Sequence, residues 1–191
     1  MSRKGLKNEK IIEAAIEMVE EYGYRKFSLR ELAGKLNVQP SSLYNHVSGI
    51  EEINIAVGMH GIHLLEKALV DASMGKETEE ALCDIANAYR NFANKNPELY
   101  HAVIELQTSG NELLKHELHK IIQPFIVVIE KNIRDKAAVV HLQRFFRSTL
   151  HGFVSLEKEG YLKYGEVNND ESFEFMVQGL INMVREREIV D

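Results

Sequence analysis

SLRELAGKLNVQPSSLYNH, residues 28–46, reads as a helix, a tight turn and a second, shorter helix. Ser28 and Glu31 have the spacing of a capping box, in which each side chain satisfies the other's orphan backbone donor. Phe27 before the cap and Leu32 at the fourth helical position are spaced as a hydrophobic staple. Leu29, Leu32, Ala33 and Leu36 then recur at helical spacing and mark a buried face. Asn37 makes the turn and Val38 drops back into the core. Pro40 suits a first helical turn, where its missing N–H has no partner to lose. In the second helix Leu43 and Val47 face inward, while Gln39, Ser41, Ser42, Tyr44, Asn45 and His46 point out. An ordinary surface hairpin would carry a charged outer face, yet no Asp, Glu or Lys occurs between Gln39 and Val47. A small, uncharged polar face on the second of two short helices is the geometry of a helix-turn-helix that reads the DNA major groove.

FSLRELAGKLNVQPSSLYNHVSGIEEI resembles the DNA-binding domain of the TetR family of bacterial transcriptional regulators. The marks are Leu43, Tyr44 and His46, an aliphatic Val47, and the acidic pair Glu51 and Glu52, within a match over about residues 8–60. The family usually has a phosphate-contacting Lys just before that pair, and Ile50 stands there instead. The resemblance and the groove geometry together place DNA contacts at Lys4, Ser28, Arg30, Gln39, Pro40, Ser41, Ser42, Tyr44, Asn45 and His46. Ser28 is expected both to cap its helix and to approach a phosphate.

The charge distribution agrees once the chain is divided. The whole chain carries −6, but residues 1–46 hold eight Lys/Arg against six Asp/Glu, and the remainder 15 against 23. The basic excess lies with the reader and an acidic body follows. Arg3, Lys4 and Lys7 form a short arm that could lie along phosphates. At 191 residues and 45% apolar content, the chain can bury a core in one large or two small domains. The single Cys83 excludes an intramolecular disulfide framework and fits a reducing cytosol. The N-terminus lacks a signal-peptide pattern and no run of about 18 apolar residues occurs, so a cytoplasmic protein without a membrane partner is expected.

Helical periodicity continues throughout, giving an all-α chain of about nine helices. The expected domains are 1–47, a three-helix DNA-binding domain, and 48–191, a helical ligand-binding and dimerisation domain. The first helix, 8–22, carries Ile12, Ala15, Ile16, Val19 and Tyr22 as its stripe, with Gly23 as a left-handed stop. A second capping box, Ser48 with Glu51, opens a fourth helix that runs to about Ala72 and links reader to body without a flexible linker. A fifth spans about Glu77 to Lys95, and Asn96-Pro97 opens a sixth that ends near Thr108 to Gly110. The seventh, about Asn111 to Arg134, contains Pro124, which predicts a kink or break near Lys120 to Gln123. The eighth is expected over about Ala137 to Glu159. The ninth is capped by Asn168 with Glu171, and Phe173, Met176, Val177, Leu180, Ile181 and Val184 form its stripe.

YRNFANKNPELYHAVI (89–104) and FFRSTLHGFVSLEKEG (145–160) resemble the C-terminal domain of a TetR subgroup named for a Trp-His-Gly signature, with His151 and Gly152 present and Phe146 the nearest bulky aromatic. The resemblance implies dimerisation through the last two helices, and Phe153, Phe173, Val177, Leu180 and Val184 are the interface candidates. It also implies a cavity for a small-molecule effector, with Tyr89, Phe92, His101, Ile104, Phe125, Phe146 and His151 as candidate lining. For each of these singly, core packing is the simpler role. The function implied is a homodimeric repressor that binds a palindromic operator and is released by the effector.

Glu112, His116 and His119 share one helical face, and His60 with His63 another, so a metal-sensing variant is an alternative. HELH falls one residue short of the zinc-protease pattern, and neither a Gly-rich phosphate loop nor GxSxG occurs, so no cofactor and no enzyme is expected. The acidic balance and Ile50 also fit a helical ligand- or protein-binding module whose helix-turn-helix is vestigial.

Overall fold

The computed structural model describes residues 6–108 and 112–187. Among the described residues ten α-helices and no strand occur: α1 Asn8–Tyr22, α2 Leu29–Lys35, α3 Pro40–Leu43, α4 Ile50–Ser73, α5 Thr78–Lys95, α6 Pro97–Thr108, α7 Glu112–Lys120, α8 Gln123–Ile129, α9 Lys136–Lys158 and α10 Asn169–Arg185. The expected seventh helix is two, because Pro124 sits in the first turn of α8 and Ile122 becomes its N-cap. That division accounts for ten helices in place of about nine.

Contacts group the chain into two compact units, residues 1–63 with 96–117, and 64–95 with 118–191. These packing units do not share the border expected at 47/48, since α6 joins the N-terminal helices and α4 contributes residues to both.

In the first unit Ile11, Ala15, Val19, Leu32, Leu43, Ile53 and Val57 are each fully or almost fully buried. Burial of each large apolar side chain contributes about 1.5–3 kcal/mol before entropy is charged against it. The stripe of α1 is rotated by one position from expectation: Ile11, Ala14, Ala15, Met18 and Val19 are buried, Ile12 and Ile16 sit at the edge, and Tyr22 is 51% exposed. With isoleucine at both 11 and 12 the sequence supports either face, and the two alanines lie on the one that packs closely. Gly23 ends α1 at φ 103° and ψ 155°, outside the left-handed helical region expected and in one open to glycine alone. On α2, Leu32 and Ala33 are buried, whereas Leu29, Leu36 and Val38 are half-buried.

The α4 capping box also differs from expectation. Helix geometry starts at Ile50, so the third position is Glu52, and it is Glu52 that accepts from the Ser48 N–H and hydroxyl, each at 2.8 Å. Glu51 is turned instead to Arg25. Along α4, Gly58 and Gly61 let α6 approach closely. A Cβ at Gly61 would lie 2.8 Å from Val103 Cγ2 and 3.1 Å from the Leu99 carbonyl oxygen.

The second unit packs α5, α8, α9 and α10 around Leu82, Ile85, Phe125, Ile129, Leu150 and Val177. Asn168 caps α10 by accepting from the Glu171 N–H at 2.8 Å, as its spacing requires. Arg90 of α5 joins three helices: it pairs with Glu157 of α9 and lies 2.8 Å from Asp170 of α10, with its guanidinium 4.7 Å from the Phe173 ring.

Candidate nucleic-acid interface

The reader is built by α2, a tight turn and α3. Ser28 accepts from the Glu31 N–H, and Glu31 accepts from the Ser28 N–H at 2.7 Å, closing the capping box. The Ser28 hydroxyl also donates to Glu31 at 2.7 Å, so its one proton is engaged within the box. The Ser28 side chain and backbone donors hold the Glu31 carboxyl below the usual carboxylate range. Asn37 turns the chain with φ 53°, a left-handed conformation that asparagine tolerates better than most residues. The Asn37 N–H donates to the Gly34 carbonyl and the Val38 N–H to the Ala33 carbonyl, both at 3.0 Å. Those bonds set α3 at its angle to α2.

α3 itself is a single turn, with Pro40 at its start and Tyr44 to His46 continuing as turn. Leu43 is 0% exposed and Val47 5%, and these two anchors fix the orientation of everything between them. Gln39, Ser41, Tyr44 and Asn45 are exposed, and Pro40, Ser42 and His46 are half-buried. Tyr44 stands out at 60% exposure, its phenol free to reach a base edge or phosphate. Arg30 is exposed on α2, with Lys7, Lys10 and Lys26 also on the surface. Lys35 is held instead by Glu17 at 3.0 Å. Lys4 lies outside the described residues.

The effector candidates fall in both units. In the second, Tyr89, Phe92, Phe125 and Phe146 are buried and His151 is half-buried. Phe125 and Phe146 stack with centroids 4.1 Å apart. Tyr89 Oη and His151 Nδ1 are 3.5 Å apart, and burial, then Arg147, pushes the His151 imidazole below its ordinary pKa. An apolar recess between Leu82, Phe125, Phe146, Val177 and Ile181 holds only about 10 Å³ of open space. His101 and Ile104 stand on α6 in the first unit, exposed and half-buried.

Of the interface candidates, Phe173, Val177, Leu180 and Val184 are at most 6% exposed within a single chain, so they serve that chain's own core. Phe153 is half-buried and meets Phe173 edge-on at 5.2 Å. The large apolar residues that α9 and α10 leave outward are others: Val140 at 38%, Phe145 at 42%, Leu156 at 46% and Phe175 at 84% exposure.

Among the described residues no group of three or more His, Cys, Asp or Glu is placed to hold a metal ion. His63 Nε2 instead lies 3.1 Å from Glu117 and His116 Nδ1 3.4 Å from the same carboxylate. The side chain of Glu112 lies outside what is described.

The chain's relatives agree with the geometry. The family sequence model "Bacterial regulatory proteins, tetR family" matches residues 11–57, and "Tetracyclin repressor-like, C-terminal domain" matches residues 82–180. The uncharacterized HTH-type transcriptional regulator YobS of Bacillus subtilis is 30% identical over 90% of each chain. A second uncharacterized HTH-type regulator, from Mycobacterium tuberculosis, is 28% identical over 90% of this chain and 78% of its own. Among solved structures, a protein of unknown function from Rhodococcus sp. RHA1 aligns with a TM-score of 0.76 at 18% identity, covering 90% of this chain and 92% of that one. A TetR variant from Acinetobacter baumannii in complex with minocycline aligns with a TM-score of 0.68 at 18% identity, covering 96% and 99%. At such identities these two structures speak to the fold.

Proposed function

The chain belongs to the TetR family of bacterial transcriptional regulators, and from that membership we propose that it represses transcription as a homodimer on a palindromic operator and is released by a small-molecule effector. The observation that carries DNA reading is the outer face of Gln39 to His46, uncharged, polar and anchored from below by Leu43 and Val47. Gln39, Ser41, Tyr44 and Asn45 meet base edges in the major groove, and Ser42, His46 and Arg30 meet phosphates around it. Ser28 acts chiefly as a cap, because its donors already serve Glu31. With Ile50 in place of a lysine, the first turn of α4 offers no cation to the backbone. Lys4 of the N-terminal arm is one source of the missing contact.

One turn of helix reads few base pairs, so two copies related by a two-fold axis are needed for a specific site. The homodimer forms through the outer faces of α9 and α10. Phe175 and Gly179 lie on one stripe of α10, and Gly152 and Leu156 on one stripe of α9. Apart from its chain neighbours and its own helix's backbone, neither glycine has an atom of its chain within 4 Å of an added Cβ, so both leave room for a partner's side chains.

The effector site lies in the second unit, with the Phe125–Phe146 stack as its apolar wall and Tyr89 and His151 as its polar handles. A mainly apolar, uncharged ligand fits that lining, and the small recess requires the helices to part around it. No catalytic step is assigned to the chain, whose relatives are transcriptional regulators. Among the described residues no helix is long and apolar enough to cross a membrane, and the cytoplasm is the proposed location.

Selection of genomic fragments by the purified full chain, followed by sequencing, tests this reading. Enrichment of a palindrome with half-sites about one helical turn apart is the expected result. Absence of enrichment at low salt would favour the vestigial reader.

A further inference from the structure

Five residues separate α1 from the Ser28 cap, and two of them are bound from outside the helix-turn-helix. The Tyr24 N–H donates to Glu98 Oε2 at 2.8 Å. Arg25 Nε lies 2.7 Å from Glu105 Oε2, and Arg25 Nη1 lies 3.0 Å from Glu51 Oε1. Glu98 and Glu105 are both on α6, seven residues apart, so they project from one face about 10.5 Å from each other along the axis. Glu51 is in the first turn of α4. One guanidinium therefore joins the α1–α2 loop to two further helices of the same unit.

The arrangement has a physical rationale. Glu105 lies in the last turn of α6, where an anion opposes the helix dipole, and a cation beside it removes that penalty. Arg25 holds φ at 61°, a conformation that costs a non-glycine residue free energy and persists where surroundings impose it. The next ordered features along the chain are Phe27, 7% exposed, and the Ser28 cap of α2. The position of residues 24 and 25 thus sets where α2 begins, and α2 carries α3 through the Asn37 turn.

We propose that Arg25 is a positioning residue for operator binding: by bridging Glu105 of α6 and Glu51 of α4 it fixes the helix-turn-helix on a platform made by those two helices. A shift of α6 reaches the reading helix directly through residues 24 and 25, in addition to any path along α4. The role rests on the DNA-reading function proposed above. Arg25 makes no base contact in this scheme, and its side chain is 44% exposed, so each of its ion pairs is weak and the bridge acts by orientation.

The test uses full-length protein and the operator fragment recovered by genomic selection. Arg25→Ala should weaken operator binding about fivefold, the scale of two surface ion pairs lost together. Its affinity for random-sequence DNA and the salt slope of operator binding should stay as in the wild type, and its thermal midpoint should fall by no more than about 2–4 °C, the scale of the two lost ion pairs. Glu105→Ala should reproduce the defect, the double variant should add little to either single one, and Glu105→Gln, which keeps an acceptor for Arg25, should restore most of the affinity. A salt slope reduced by about one unit with equal loss on random DNA would make Arg25 a phosphate contact and overturn the proposal. Unchanged operator affinity in both Arg25→Ala and Glu105→Ala would overturn it too. A wild-type chain that selects no DNA would remove the operator reading itself, an outcome distinct from a wild type and variant that bind alike.

Discussion

Gly61→Ala tests how closely α4 and α6 are packed. In an open helix position the change would stabilise by about 1 kcal/mol, because alanine loses less backbone freedom on folding. At Gly61 the new methyl would sit 2.8 Å from Val103 Cγ2 and 3.1 Å from the Leu99 carbonyl oxygen. Val103 is 1% exposed and β-branched, so its χ1 is stiff and turning away is costly, and the Leu99 oxygen belongs to backbone. The helices must separate, at the about 1–3 kcal/mol typical of overpacked cores. The net effect is a loss of about 1 kcal/mol, or about 2–4 °C in thermal midpoint for a chain of this size. Gly34→Ala is the control: it lies on α2 in the same unit, and an added Cβ there meets nothing within 4 Å. That variant should gain about 1 kcal/mol, so the two should differ by roughly 4–8 °C. Circular dichroism at 222 nm, at one fixed protein concentration, measures both. A Gly61→Ala midpoint equal to or above that of Gly34→Ala would refute the close approach.

Gly152→Ala separates the isolated chain from the dimer: beyond its chain neighbours and the backbone of α9 no atom of its chain lies within 4 Å of the added Cβ, so alone it should raise stability, whereas if α9 packs there against a second copy the methyl should weaken association about tenfold. Sedimentation velocity over a concentration series checks it, and a raised midpoint with unchanged association would move the interface away from Gly152. Glu31 gives a pH signature, because its carboxyl is held below the ordinary value by Ser28, and a depressed folded pKa supplies stability that is present above the unfolded value and lost as pH falls through the folded one. The midpoint difference between wild type and Ser28→Ala should therefore shrink from pH 7 to about pH 3, and a constant difference would argue against the reciprocal box.

The local parts of this fold were legible. The Ser28–Glu31 and Asn168–Glu171 caps depend on residues three apart, and both formed at the expected positions. α1 ended at Tyr22 as expected, before Gly23. Failures came where two neighbouring residues could satisfy one rule: Ile11 and Ile12 both fit the α1 stripe, and Glu51 and Glu52 both fit the α4 box. Tertiary contacts chose between them, Arg25 taking Glu51. The bonds of Arg25 to Glu51 and of Arg90 to Glu157 span 26 and 67 residues, and no periodic pattern announces either. The candidate reading face could be singled out because its composition is unusual for a surface, and Gln39, Ser41, Tyr44 and Asn45 are exposed on it, whereas the candidate effector residues are ordinary core types and carried no such mark.

The most direct measurement is a gel shift of Tyr44→Ala on the fragments that the wild type selects. Tyr44 is 60% exposed and packs into no core, so helicity and dimerisation should be intact while specific binding is lost. Retained nanomolar binding by Tyr44→Ala would contradict the assignment of the α3 face as the DNA reader.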